Sequence, residues 1–326
     1  MAGRLMRGLP PLGHPRRAER VLAGLVRRRN FTGSYELTDR GTGADRLAVV
    51  LAGYKPYLWD MTLARIERHV PEGVDVCLVS PGRHLPELER LAERCGWSYL
   101  STRANYVSLA QNIAIARHPS ARWIYKLDED ISVAEGFFER LLEAYQRTAA
   151  EGRYELGFCA PVLNVNGFSY IDFLRTMGLE KEYLQRFGEL QRASGQIRAT
   201  NDGEAALWLW RKSLPFDEVA ARFAALPPGY STVPHKFSIG AILLERSFWG
   251  AIGGLLVRPP AGALGVDETQ LCRRCIDLSR VMVVAHDVFA GHFSFGAQEA
   301  YMREHVEEIR PHVAVIGAAR VAQGTA

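Results

Sequence analysis

Three consecutive carboxylates, Asp128, Glu129 and Asp130, follow directly after the apolar run Trp123–Leu127 (WIYKL). The run has the β-branched and aromatic composition of a buried strand. Adjacent carboxylates repel one another and are costly to bury unpaired, but a divalent cation would neutralise them. Because side chains alternate along an extended segment, Asp128 and Asp130 are expected to face one way and Glu129 the other. The stretch therefore predicts a metal site held by two carboxylates.

The elements that lead up to these carboxylates predict an α/β domain with a mostly parallel sheet. Strand-like segments at 47–52, 74–79, 97–100 and 122–127 alternate with helix-like segments, which makes the strand before the carboxylates the fourth. Such alternation favours parallel strands joined by right-handed crossovers. In open sheets of this kind, ligands bind in the crevice outside the carboxyl ends of the strands. Neither a dinucleotide-binding GxGxxG motif nor a P-loop motif occurs.

The segments beyond the carboxylates complete the predicted domain organisation. Further strands are predicted at 155–163, 237–244 and 281–285, and further helices at 267–278 and 297–309. Between them, residues 165–235 predict a helical insertion, in which Trp208 and Trp210 sit at strand spacing and would either stack on a sugar or pack in the core. The chain is thus divided into a basic segment 1–45, whose residues 32–45 form a linker, one domain at 46–310 and a tail at 311–326.

Composition and charge narrow the function classes. The chain is 48% hydrophobic and 23% charged, as in globular proteins with a large core, and has no apolar run long enough to cross a membrane. Residues 1–30 carry eight arginines and one glutamate, so this segment holds +7 and leaves −3 for the rest of a chain of net charge +4. A body of that charge argues against nucleic-acid binding. The five scattered cysteines and the lack of an apolar leader predict a cytoplasmic protein.

An amphipathic stripe in the basic segment predicts a helix over residues 17–29. Ala18, Val21, Leu22 and Leu25 recur at helical spacing, and arginines surround them. Such a helix could lie on an anionic membrane, which would place the protein peripherally on the inner face of the plasma membrane. The alternative is a helix that packs on the domain with a solvated basic face.

Five pieces of sequence in the same order resemble GT-A glycosyltransferases, and among these the inverting family 2. The resemblance covers roughly residues 47–295 and implies a GT-A-like, Rossmann-like α/β fold. The pieces are Arg103-x-Asn105 with Ala110-x-Asn112, the DxD-like Asp128-Glu129-Asp130, the segment Phe237–Gly254, Val266-Asp267-Glu268, and Gly291-His292-Phe293.

The resemblance implies a role for each candidate residue. Asp130, Asp128 and His292 would hold Mn²⁺ or Mg²⁺, with His286 as an alternative to His292. Asp267 would be the catalytic base, with Glu268 as the alternative. The residues expected around the nucleotide-sugar are Gly53, Lys55, Arg103, Asn105, Asn112 and Asp128. A hard cation suits this task, since it stabilises the charge that builds on a leaving diphosphate.

Two positions depart from the family pattern. The second predicted strand ends in Ser80-Pro81-Gly82, where the family usually has an acidic residue that reads the nucleobase. Gln111 precedes Asn112 at a position that is often Arg in the family. The nucleobase and the diphosphate contacts therefore stay open, and Lys55, Arg103 and Lys126 could supply the positive charge.

The predicted function is metal-dependent transfer of a sugar from a nucleotide-diphosphate donor to a hydroxyl of a glycan or lipid-linked glycan. The resemblance implies inversion at the sugar and a role in surface or capsular polysaccharide synthesis. One alternative is a phosphatase of the haloacid dehalogenase type, with Asp128 as nucleophile and Asp130 as acid/base. Against it, that motif normally ends the first strand. The other alternative is a scaffold that binds a sugar nucleotide or glycan without turnover.

Overall fold

The computed structural model describes residues 28–193, 196–262 and 265–315. Its strands are β1 (Tyr35–Thr38), β2 (Arg46–Leu51), β3 (Val74–Pro81), β4 (Ser98–Thr102), β5 (Trp123–Leu127), β6 (Ile131–Ser132), β7 (Leu156–Leu163), β8 (Tyr230–Val233), β9 (Ala241–Glu245) and β10 (Val281–His292). Residues 17–27 of the amphipathic stripe and residues 316–326 of the C-terminal tail lie outside the described residues.

Helices cover both faces of the sheet and form the insertion. They are α1 (Leu63–His69), α2 (Pro86–Cys95), α3 (Val107–Arg117), α4 (Phe137–Ala150), α5 (Tyr170–Met177), α6 (Glu180–Phe187), α7 (Arg198–Asn201), α8 (Gly203–Lys212), α9 (Phe216–Ala224), α10 (Arg246–Ala251), α11 (Val266–Asp277), α12 (Glu299–Glu304) and α13 (Val306–Ile309). Helices α5 to α9 lie within the predicted insertion at 165–235.

The strands of the described residues form one mixed sheet in the order β1-β4-β3-β2-β5-β9-β7-β10-β6, with β8 also paired to β10. Strands β2, β3, β4 and β5 are parallel, and β7 and β10 continue their direction after the antiparallel β9. The α/β prediction with a mostly parallel sheet and a helical insertion is therefore confirmed. The antiparallel β9 was not anticipated by the strand pattern, because periodicity carries no information about strand direction.

The core lies on both faces of this sheet. Successive residues of β2 belong to opposite faces: Leu47 and Val49 pack in one cluster, Ala48 and Val50 in the other. Strands buried on both faces need apolar side chains at every position. This requirement explains why β2, β5 and β7 read as continuous apolar runs and not as alternating patterns.

Two predictions about local structure are wrong. Residues 32–45 were expected to be a linker, yet Tyr35–Thr38 pair antiparallel with β4 along the sheet edge, so the strand before the carboxylates is the fifth. Trp208 and Trp210 belong to helix α8, not to a strand. Both side chains are buried, because this short helix packs on several sides. The two tryptophans thus pack in the core.

Candidate functional site

The three carboxylates lie where β5 ends, in the middle of the sheet between β2 and β9. The Asp128 amide donates to Gly240 O at 2.8 Å, and the Ile131 amide donates to Asp128 O at 3.2 Å, which closes a tight turn into β6. The three side chains diverge from this turn into different surroundings. Asp130 and Glu129 are buried, whereas a third (33%) of the Asp128 side chain is exposed.

Glu129 fixes the loop that follows β2. Its carboxylate accepts hydrogen bonds from the Gly53 amide at 2.9 Å, the Tyr54 amide at 2.8 Å and the Trp59 indole at 3.3 Å. Gly53 adopts a φ of +124°, a conformation that a side chain would disfavour. Burial raises the pKa of Glu129, although these donors oppose the shift. Glu129 thereby positions the loop that carries Lys55.

Asp130 is shared between Lys55 and His292. Its Oδ2 lies 2.6 Å from Lys55 Nζ and 3.6 Å from His292 Nε2. Burial alone would raise the pKa of Asp130, but Lys55 and His292 outweigh it and hold that pKa well below its usual range. The pKa values of Lys55 and His292 are both raised: burial lowers each of them, and the contact with Asp130 outweighs that effect. Asp130 therefore stays ionised.

The surroundings of His292 hold its ring in a defined orientation. His292 Nδ1 lies 2.7 Å from Val165 O, and a carbonyl only accepts, so Nδ1 donates and Nε2 is the nitrogen turned to Asp130. The His292 amide donates to Asn164 Oδ1 at 2.9 Å, and the Trp210 indole donates to His292 O at 2.8 Å. An imidazole whose other nitrogen is bonded to a carbonyl is oriented in the way that metal-binding histidines usually are.

The alternative histidine, His286, has a different partner. Its Nε2 lies 2.8 Å from Ser231 Oγ on β8. Of the two candidates, the structure brings His292 to Asp130.

Asp128 is held by a lysine from its own strand. Lys126 Nζ donates to Asp128 Oδ1 at 2.6 Å and to Ile239 O at 2.9 Å, and the lysine is buried. Burial of the carboxylate raises the pKa of Asp128, and Lys126 opposes that rise. The pKa of Lys126 is raised in turn: burial lowers it, but the charges of Asp128 and Asp267 outweigh burial. Lys126 therefore contacts Asp128 and lies within electrostatic reach of Asp267.

Asp267 and Glu268 occupy the first turn of α11 and face different partners. Asp267 is buried, and its Oδ2 accepts a hydrogen bond from Gln111 Nε2 at 3.1 Å. Glu268 Oε1 lies 2.8 Å from Lys236 Nζ at a more exposed position. The charges of both carboxylates act on Lys126, and that of Asp267 also acts on Asp128.

The remaining residues expected around a nucleotide-sugar separate into two groups. Gly53 and Lys55 adjoin the carboxylates. Arg103 and Asn105 lie on the loop after β4, where the Asn105 carbonyl accepts from the Gly262 amide at 2.6 Å.

Asn112 does not have the free amide that nucleotide binding would require. It is fully buried, and its amide bonds Asn30 O, Leu255 O, the Leu255 amide and the Trp249 indole. All its hydrogen-bonding capacity is used by the core, which leaves none for a nucleotide.

The predicted set of three metal ligands is not gathered at one point. No group of three or more His, Cys, Asp and Glu side chains among the described residues could hold a metal ion. The carboxylate of Asp128 is paired with Lys126. A carboxylate oxygen and an imidazole nitrogen do suit Mn²⁺. Two protein ligands also fit a cation of the Mg²⁺ type, which takes its other ligands from phosphates and water.

Comparisons with known proteins add one solved structure to this geometry. No protein-family profile and no curated protein matches the chain. Among solved structures, the chain is similar to the mannosyltransferase PcManGT from Pyrobaculum calidifontis in complex with GDP-Man and Mn²⁺, with 12% identity, a TM-score of 0.45, and coverage of 90% of this chain and 72% of that one. None of the described helices has the length and apolarity needed to span a membrane.

Proposed function

We propose that the protein is a metal-dependent glycosyltransferase that moves a sugar from a nucleotide-diphosphate donor to a hydroxyl of a glycan or lipid-linked glycan. The observation that carries this proposal is the placement of Asp130 between Lys55 and His292, at the carboxyl end of a central strand. A buried carboxylate with an oriented imidazole and a lysine beside it offers cation ligands and a phosphate-binding ammonium together. The resemblance of five sequence pieces to GT-A glycosyltransferases supports the same function.

Asp130 and His292 would hold Mn²⁺ or Mg²⁺ in this proposal. The cation supplies Lewis-acid stabilisation of the departing diphosphate when it is bound. Lys55 comes from the loop fixed by Glu129 and would bind a diphosphate oxygen. Its donor hydrogens suit phosphate, and its charge adds to that of the cation at the leaving group.

Asp267 would act as general base toward the acceptor. The O–H bond of the acceptor hydroxyl breaks, its proton passes to the Asp267 carboxylate, and the oxygen forms a bond to the anomeric carbon. The bond from that carbon to the diphosphate oxygen breaks, and the nucleoside diphosphate leaves with the electron pair. Attack on the face opposite the leaving group gives inversion. Glu268 is the weaker candidate, because its carboxylate is already paired with Lys236.

The test separates donor binding from transfer. Thermal shifts with UDP-, GDP-, dTDP- and CMP-sugars, with and without Mn²⁺, should reveal a donor that raises stability only when the metal is present, since ligands that bind the native state stabilise it. Asp130→Ala should abolish this Mn²⁺-dependent shift, and Asp267→Asn should keep the shift but lose transfer. An Mn²⁺-dependent shift that survives Asp130→Ala would refute the metal assignment, and normal transfer by Asp267→Asn would refute the base.

The two alternatives differ from this proposal in measurable ways. A phosphatase that used Asp128 as nucleophile would need Asp130 as a proton donor, but Lys55 and His292 favour the ionised form of Asp130. Hydrolysis of p-nitrophenyl phosphate with a phospho-aspartate at Asp128 would support the phosphatase. A scaffold without turnover would show no metal-dependent hydrolysis of the donor when acceptor is absent.

The biological setting that we propose is surface or capsular polysaccharide synthesis on the cytoplasmic face of the membrane. It rests on the family resemblance and on the amphipathic helix predicted at 17–29 within the basic segment. Deleting residues 1–29 should leave transfer to a soluble acceptor intact and weaken binding to anionic vesicles. Unchanged vesicle binding would refute the membrane contact.

A further inference from the structure

Gln111 is a buried polar residue in the middle of a largely apolar helix. It lies on α3 with 1% of its surface exposed, and most of its neighbours along the helix are buried aliphatic residues. A buried amide without a partner would be costly. Its Nε2 donates at 3.1 Å to Asp267 Oδ2, a residue 156 positions away on α11. The contact therefore joins two helices at the carboxylate that we propose as the base.

Several charged or titratable groups lie near Asp267. Lys126 and Asp128 approach from β5 and the turn after it. On its own helix are Cys272 and Glu268, and Lys236 pairs with Glu268. Asp267 also lies in the first turn of α11, where the helix dipole favours a negative charge. Among the hydrogen bonds between described side chains, the donor to Asp267 is the neutral amide of Gln111.

We propose that Gln111 is a positioning residue that holds Asp267 Oδ2, so that Oδ1 is presented to the acceptor hydroxyl. The inference rests on the proposed function of Asp267 as base. A neutral amide orients a carboxylate without adding a positive charge, and an adjacent cation would lower the proton affinity that a base requires. Gln111 thus orients Asp267 without adding a second cation to that of Lys126.

Two isosteric variants test this role. Gln111→Met removes the hydrogen bond, and we expect kcat to fall about tenfold with an unchanged KM for the donor, since misplaced reacting groups slow the chemical step. Gln111→Glu places a second carboxylate against Asp267, and we expect the acidic limb of the pH profile of kcat to move up by about one unit or more. Ser108→Ala, a buried polar position on the same helix, is the control and should change neither quantity.

A readout that needs no transfer separates this inference from the proposed function. The Asp267 carboxylate, followed by carbon-detected NMR in the intact protein, should titrate at higher pH in Gln111→Glu than in the wild type. An Asp267 titration identical in all variants would overturn the contact. A changed titration with an unchanged kcat profile would overturn the positioning role. The titration could change although the wild type transfers no sugar from any donor. The contact between Gln111 and Asp267 would then be confirmed, but the proposed function would be refuted, and so would the positioning role that depends on it.

Discussion

Asp128 and Asp130 are two residues apart, yet their surroundings differ in kind. The Asp130 cluster, which consists of Asp130, Lys55 and His292, draws its residues from three distant segments, and the Asp130 side chain is 6% exposed. The Asp128 cluster consists of Asp128, Lys126 and Asp267. Its closest contact is local, between Lys126 and Asp128, and the Asp128 side chain is 33% exposed.

The difference shows how one short acidic stretch can supply two separate functions. The pKa of Asp130 is lowered by its cationic neighbours, whereas the pKa of Asp128 is raised by burial. Titratable groups whose environments push their pKa values apart usually have different roles. We interpret the Asp130 cluster as the end of the site that binds the leaving group. The Asp128 cluster is then the end that faces the acceptor, through Asp267.

The largest effect is expected at the acceptor end. Asp267→Asn removes the proposed base with little change in volume and should reduce kcat by roughly a thousandfold, within the usual range for a positioned base. The Mn²⁺-dependent thermal shift with the donor should persist. Steady-state kinetics measures kcat, and thermal shifts measure donor binding. Loss of the donor-induced shift would contradict the assignment of Asp267 to the acceptor end and of donor binding to the Asp130 cluster.

Asp130→Asn should have the next largest effect. It leaves the charges of Lys55 and His292 without their buried partner, which should lower the free energy of unfolding by about 3 kcal/mol at neutral pH. Asp128→Asn is the comparison variant and should cost less, because it removes the carboxylate partner of one cation, Lys126, whereas Asp130→Asn removes that of two. Urea unfolding of the two variants checks the comparison, and equal losses would contradict it.

The pH dependence of the Asp130→Asn cost follows from the sign of the pKa shift. The pKa of Asp130 is lowered in the folded state, so its charge stabilises the fold at pH values above the ordinary carboxyl pKa. This contribution declines as the pH falls through that ordinary value toward the lowered one. The difference between wild type and Asp130→Asn should therefore shrink in acid, and a difference that grows there would contradict the assignment.

Trp210→Phe should have a smaller effect that is confined to the Asp130 cluster. The variant removes the indole hydrogen that is donated to His292 O and Phe293 O, and it should lower the free energy of unfolding by about 2 kcal/mol. It should also weaken Mn²⁺-dependent donor binding, because the strand that carries His292 loses an anchor. Trp208→Phe is the control within the same helix, and calorimetric titration should show unchanged donor binding for it.

Glu268→Gln should have the smallest effect. Its ion pair with Lys236 is partly exposed, at 18% and 39% of the two side chains, and such pairs contribute less than about 1 kcal/mol. We expect kcat to stay within about twofold of the wild type, since Asp267 keeps the base role. A fall in kcat as large as that of Asp267→Asn would make Glu268 the base in place of Asp267.

Much of the fold could be read from the sequence, because strand and helix patterns are local. The apolar runs located β2, β3, β5 and β7, and the helical spacing located α11. The edge strand β1 was missed, since its Glu and Thr residues are typical of an edge that faces solvent and its glycine-rich neighbours resemble a linker. The helix α8 was misassigned. Trp208 and Trp210 are both buried because the helix packs on several sides, and two apolar residues at i and i+2 match the spacing of a strand.

The candidate site was predicted only in part, because sequence patterns are local and the partners of the site residues come from distant segments. Asp130, Asp267 and His292 were named from short motifs, and the structure gives each of them buried polar partners. Lys126 was expected only as a source of positive charge for the diphosphate. Its pairing with Asp128 could have been found, since its position two residues before Asp128 places both on the same side. Asn112 could not be excluded in advance, since nothing in its neighbours shows that the core uses its whole amide.

The sequence by itself determined the α/β order of elements and the position of three carboxylates at the end of a buried strand, because hydrophobic periodicity acts over a few residues. It did not determine the directions of the three side chains. Asp128 and Asp130 were expected to face the same way but have different partners, because residues 128–131 form a turn and not the extended backbone on which side chains alternate. The tertiary structure alone decided the partners. Lys55 meets Asp130 across 75 residues and Gln111 meets Asp267 across 156. Contacts at such separations depend on how the sheet and helices pack, and packing decides which carboxylate is paired, buried or left open to a substrate.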